Sequence, residues 1–157
     1  MNNFQLFLEI ARHLNKINIT PILYGSLGLS IAIRTPLTIN DVDILVPDEF
    51  IKEKWPELME EVTSLDFELK DEKEHEFIRG AETIAFASYK TLEDVSFTTN
   101  DLQKTEEENV SFYTLSPEQC LAVYQYCLKD SYRQDTKKKT DSEKIILIEN
   151  YLKKNNN

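Results

Sequence analysis

Two cysteines, Cys120 and Cys127, are all that the 157 residues contain. Their i, i+7 spacing on a helix would hold them about 10 Å apart, too far for a bridge. A disulfide framework is excluded, and two buried, reduced thiols point to the cytoplasm. Basic residues are also scarce, with 18 Lys and Arg against 28 Asp and Glu and a net charge of −10. Such a field repels phosphate backbones and anionic bilayers, so bulk nucleic acid and membrane surfaces are excluded as partners. No apolar run approaches the roughly 18 to 20 residues of a membrane helix. The first sixteen residues carry Glu9 and no small-residue cleavage site, unlike a signal peptide. The only histidines, His13 and His75, lack metal-ligand spacing, and Ser26 has no His–Asp partnership that would make it a nucleophile. No internal repeat or low-complexity tract is present.

What the chain does have is a core, with 41% apolar residues that include 8 Phe and 7 Tyr. Apolar residues at helical spacing predict a helix over 3–16, ended by Asn18 and Pro21. A short strand follows at 22–24 and stops at Gly25-Ser26. A helix is expected over 27–33, closed by Pro36. Alternation over 39–46 predicts a strand with Val42, Ile44 and Val46 on one face and Asp41 and Asp43 on the other. Residues 49–65 read as helical, with Pro56 opening a fresh turn near Trp55. Three short strands are expected at 66–70, 75–79 and 83–88, then a polar irregular stretch over 91–109. Ser116-Pro117-Glu118 opens a helix over 117–130. A Lys- and Asp-rich loop, 130–140, joins it to a last helix over 141–154, whose end frays at Asn155 to Asn157. Trp55, Tyr113, Tyr124, Tyr126 and Tyr132 read as packing residues. The order predicts an α+β mixed sheet flanked by helices with a C-terminal helical hairpin. The expected division is a sheet domain over 1–112 and a hairpin over 113–157 packed on it.

Chemistry concentrates in Tyr24-Gly25-Ser26-Leu27-Gly28 and Asn40-Asp41-Val42-Asp43-Ile44. Strand alternation puts Asp41 and Asp43 on one face about 7 Å apart along the chain. Two such carboxylates repel unless a cation lies between them, and carboxylate and phosphate oxygens suit Mg2+. A Gly-Ser turn leading into a helix offers free amides and the positive helix end to an anion.

Gly25-Ser26, residues 27–34 and Asp41-Val42-Asp43 together resemble the DNA polymerase β-like nucleotidyltransferase superfamily. The likeness is to small bacterial members of the minimal nucleotidyltransferase or abortive-infection kind, and it covers residues 20–46. A looser likeness covers 115–152, where Arg133, Lys137 to Lys139, Asp141 and Lys144 stand at the opening of the last helix. The resemblance implies Mg2+ held by Asp41 and Asp43 and an NTP whose β,γ-phosphates rest on Gly25 and Ser26. Arg133, Lys139 and Lys144 would neutralise charge. It also implies a third carboxylate from a later strand as general base. The strand at 83–88 holds no acid, so Glu82 at its start and Glu76 in the preceding strand are the candidates. The local charge agrees with such a division of labour. Residues 129–154 hold 8 Lys and Arg against 5 Asp and Glu, whereas residues 1–128 hold 10 against 23. Arg34 lies between the motifs and reads as a surface residue.

The implied reaction moves an NMP from an NTP to a hydroxyl of a small molecule or a protein. A non-catalytic nucleotide- or protein-binding module of the same fold, as in a toxin–antitoxin or phage-defence pair, is the competing expectation. A third treats the Asp pair as incidental to an α+β interaction domain. A homodimer through the C-terminal hairpin is compatible with the sequence, which carries no direct mark of one.

Overall fold

The computed structural model describes residues 1–130 and 133–155. Tyr132, Asn156 and Asn157 lie outside the described residues. Helix α1 (Asn3–Lys16) opens where the Asn2 side-chain oxygen accepts the Gln5 amide at 2.8 Å. Strand β1 (Ile22–Tyr24) runs directly into α2 (Gly25–Ala32) and then β2 (Val42–Val46). Helix α3 (Trp55–Thr63) precedes the meander β3 (Glu68–Asp71), β4 (Glu76–Arg79) and β5 (Glu82–Ser88). A hairpin of β6 (Gln103–Glu107) and β7 (Val110–Thr114) follows, then α4 (Pro117–Lys129) and α5 (Asp135–Asn155). Ser116 and Gln119 form the reciprocal cap of α4, where the sequence pattern placed its start.

Among the described residues seven strands form one mixed sheet in the order β3-β4-β5-β2-β1-β7-β6. Strand β2 pairs antiparallel with β1 and parallel with β5, and β1 pairs parallel with β7. Helices cover both faces. One core packs α1 and α3, through Phe7, Leu14 and Leu58, against Ile44, Phe77, Phe86 and Phe112 of the sheet. The other packs Leu29 of α2, Tyr124 of α4 and Ile148 of α5 against Ile22 and Leu45. The α+β mixed sheet with C-terminal helices is therefore the fold, as the element order predicted.

Pleating gives each register row to one face. Leu23, Ile44 and Phe86 pair across β1, β2 and β5 and enter the first core. The next row, Tyr24, Asp43, Ala85 and Glu76, crosses β1, β2, β5 and β4 on the opposite face. The fold thus sets Asp43 and Glu76 side by side with one alanine between them.

Four boundaries differ from the expectation. Residues 91–109, read as irregular, contain β6, and β7 follows, so two strands extend the sheet beyond β1. The division expected between residues 112 and 113 falls inside β7. Residues 135–140, read as loop, are the first turns of α5, so Lys137 to Lys139 lie on a helix. Strand β2 begins at Val42, and Asp41 is the residue that leads into it.

Candidate active site

Gly25 ends β1 and opens α2 with a left-handed backbone at φ +64°. A Cβ there would lie 2.2 Å from Oδ2 of Asp43, so the glycine lets the turn close onto that carboxylate. Gly28 does the same for the helix, since a Cβ would lie 2.8 Å from the Leu23 carbonyl oxygen. Tyr24 at the N-cap supplies no side-chain hydrogen bond to the first turn of α2. The positive end of α2 therefore faces the Asp43 carboxylate with no capping side chain on its amides.

These groups border a cleft of about 610 Å³. Tyr24, Gly25 and Ser26 form its floor with Asp41 and Asp43. Lys73, Glu74, His75 and Glu76, from the β3–β4 turn and the start of β4, form one wall. Arg133, Lys137 and Lys144 also line it, with Tyr124 and Cys127 of α4. Its acidic lining residues come from β2, β4 and the segments leading into them, and Arg133, Lys137 and Lys144 come from α5 and the residues before it.

Burial is the main reason that the Asp43 carboxyl is pushed up to about 6, and the charges of Asp41 and Glu76 push the same way. Lys144 and Lys137 oppose the rise. Lys144 Nζ donates to Ser26 Oγ at 2.8 Å and sits 5.1 Å from the Tyr124 ring centre. Burial lowers its pKa, and the neighbouring Arg133 charge adds to that. Arg133 donates through Nε and Nη2 to the two carboxylate oxygens of Asp141, with Nη2 at 2.9 Å. Asp141 is 1% exposed. Burial also raises the pKa of Cys127, so its thiol stays protonated at neutral pH.

The structure brings Gly25, Ser26, Asp41, Asp43, Arg133 and Lys144 to one cleft. Glu82 and Lys139 are not among its lining residues. Glu82 accepts a hydrogen bond from Arg79 Nε at 2.9 Å, and the same guanidinium reaches Glu9 at 2.8 Å. That clamp ties the β4–β5 turn to α1. Lys139 is exposed, two residues and roughly 200° around the helix from Lys137. Lys137, Asp141 and Lys144 share a face of α5 at i, i+4, i+7, a register that a loop reading of 130–140 could not supply. Arg34 borders a separate groove with Lys153 and Lys154. His75 lies 4.7 Å from the Trp55 ring, edge to face.

Among the described residues no cluster of three His, Cys, Asp or Glu side chains is built to hold a metal alone. Asp41 and Asp43 nonetheless suit a divalent cation. They are two carboxylates in mutual electrostatic reach, Asp43 raised first by burial and then by Asp41, and a hard cation would complete its shell with water and phosphate oxygens. Among the described residues no helix is long and apolar enough to cross a membrane.

The architecture is that of the nucleotidyltransferases. A crystal structure of an antigenic nucleotidyltransferase-like protein from Paracoccidioides brasiliensis superposes with a TM-score of 0.63 at 17% identity, over 92% of this chain and 73% of that one. The antibiotic-resistance factor ANT(2'')-Ia in solution gives 0.55 at 15% identity, over 98% and 94% of the two chains. Its crystal structure in complex with adenylyl-2''-tobramycin gives 0.53 at 15% identity, over 96% and 97%. No protein-family model matches the chain. The chain belongs to the family of the uncharacterized protein YnaI of Bacillus subtilis (strain 168), with 30% identity over 157 residues, 98% of this chain and 99% of that protein.

Proposed function

We propose that the protein transfers an NMP from an NTP to a hydroxyl of a small molecule. The observation that carries this reading is the juxtaposition of Asp41 and Asp43 with the Gly25-Ser26 turn and with Lys144 and Arg133 in one cleft. Gly25 and Ser26 would receive the β,γ-phosphates on the amides of α2 and the Ser26 hydroxyl. Lys144, already hydrogen-bonded to that hydroxyl, would meet the phosphate charge with Arg133 and Lys137. Asp41 and Asp43 would hold Mg2+, which when bound neutralises phosphate oxygens and helps orient them.

The acceptor hydroxyl oxygen attacks the α-phosphorus. The bond to the bridging oxygen breaks, and pyrophosphate leaves with that electron pair. The hydroxyl proton needs a base. Glu76 suits this better than Glu82, because it lines the cleft on the same face as Asp43, roughly 10 Å away backbone to backbone across Ala85. Glu74 and Glu76 outnumber Lys73 among the lining residues of the β3–β4 segment, which favours a cationic acceptor. A structural neighbour in complex with an adenylylated small molecule is consistent with this chemistry.

One observation favours the non-catalytic alternative. The residue paired with Asp43 on β5 is Ala85, so no acid stands immediately beside the Asp pair on that strand. Thermal unfolding with each of the four NTPs and Mg2+ tests the nucleotide site that both readings share. At least one NTP should raise the wild-type midpoint by several degrees at saturation. The Asp41→Ala/Asp43→Ala variant should show no such rise. An unshifted wild type with all four NTPs would end both nucleotide readings.

A further inference from the structure

We infer that Asp141 is a positioning residue that aims the Arg133 guanidinium into the cleft, so that a polyphosphate is met by a fixed cation. The inference rests on the nucleotide reading of the cleft and deepens it.

Asp141 is the one buried charged side chain among the described residues, 1% exposed. A carboxylate so placed needs a charged, geometrically matched partner. It has one in Arg133, gripped through Nε and Nη2 onto both carboxylate oxygens. The grip leaves Nη1 outside the pair while the residue lines the cleft. Arg133 precedes α5 rather than belonging to it, so no helical register fixes its side chain. The fork to Asp141 does that. A two-point grip holds the plane of the guanidinium, which a single lysine ammonium could not do.

Field and geometry make opposite predictions here. By charge alone, Asp141 weakens the cleft's attraction for anions, and neutralising it should tighten their binding. As a positioning residue it has the reverse effect, because a released Arg133 must be ordered each time a ligand binds.

Isothermal titration with sodium tripolyphosphate, without metal, separates the two. Asp141→Asn should bind tripolyphosphate about tenfold more weakly than wild type. Arg133→Lys, which keeps the charge and loses the fork, should lose a similar factor. The double variant should bind no more weakly than either single one, since both remove the same fork. Wild-type or tighter binding by Asp141→Asn would overturn the inference, as would undiminished binding by Arg133→Lys or additive losses. If Asp141→Asn does not fold, Arg133→Lys at the half-exposed end of the pair decides alone. A wild type that binds no tripolyphosphate would overturn the cleft reading itself, and a wild type that binds it beside an unaffected variant overturns only the role of Asp141.

Discussion

Asp43→Asn is expected to make the ligand-free protein more stable at pH 7 while ending nucleotide transfer. The Asp43 carboxyl rises from an ordinary 3.8 to about 6 in the folded chain, through burial first and Asp41 second. A carboxyl that is raised on folding adds nothing unfavourable well below its unfolded value of 3.8, where it is protonated in both states. Its penalty grows as pH rises toward 6 and is complete above that, at up to about 3 kcal/mol. Asparagine keeps the shape and removes the charge. Urea denaturation in EDTA should therefore show the variant more stable than wild type by about 1–3 kcal/mol at pH 7 and nearly equal at about pH 3. Adding Mg2+ with an NTP should stabilise wild type and leave the variant unmoved. A variant less stable than wild type at pH 7 would mean that the charged carboxylate supports the fold, and the cation reading would lose its electrostatic basis.

Gly25→Ala should damage both fold and site through one added methyl group. Its Cβ would stand 2.2 Å from Asp43 Oδ2, on a backbone at φ +64° that favours glycine. Left-handed strain alone is worth about 1–2 kcal/mol, and displacing a half-buried carboxylate adds to it. We expect a loss of about 2–4 kcal/mol in urea denaturation and no NTP-induced stabilisation. The clash can be separated from the strain. Combined with Asp43→Ala, which removes the carboxylate, Gly25→Ala should cost clearly less than it does alone. Equal costs in the two backgrounds would show that the close approach of turn and carboxylate is not what requires glycine.

The stretch from Ile22 to Val46, with Gly25-Ser26 and Asp41-Val42-Asp43, was legible because periodicity and chemistry coincide there. Val42, Ile44 and Val46 declare a strand by alternation, and that same alternation exiles Asp43 to the opposite face. Gly25-Ser26 marks the strand-to-helix step without ambiguity. Strand β6 was illegible for a physical reason. Gln103 to Glu107 is an outer strand with no buried residue, so its pattern carries no apolar signal. Strand β7 did carry one, since Val110 and Phe112 are buried at alternate positions. It lay beyond a polar stretch whose turn at Glu108 and Asn109 needs two consecutive left-handed residues. The opening of α5 was hidden by composition, because Asp135 to Lys144 has no apolar stripe and the face carrying buried Asp141 and the cleft-lining Lys137 and Lys144 is itself charged. Helical propensity of the lysines, together with an Asp in the first turn, was the available signal. Charge partition along the sequence did indicate that the cationic groups would come from this segment. Which lysine would face the cleft required the helix register, and that is where Lys137 replaces Lys139.

The placement of Glu76, the proposed proton acceptor, depends on register between strands, which no single sequence pattern encodes. Glu76 shares a register row with Asp43 only because β4 pairs with β5 at Ala85 and β5 pairs with β2 at the same residue. Glu82 lies three positions before Ala85 on β5 and is bonded to Arg79 instead.

Pyrophosphate release from Mg2+ and each NTP, in the presence of a panel of hydroxylated amines, tests transfer most directly. The account predicts release by wild type that depends on one of the amines, with an equal amount of that amine carrying the nucleotide by mass. Glu76→Gln should still be stabilised by the NTP but release pyrophosphate at least about 100-fold more slowly. Release by Glu76→Gln at the wild-type rate would contradict the assigned base, and an NTP that stabilises wild type yet is never consumed with any acceptor would contradict transfer itself.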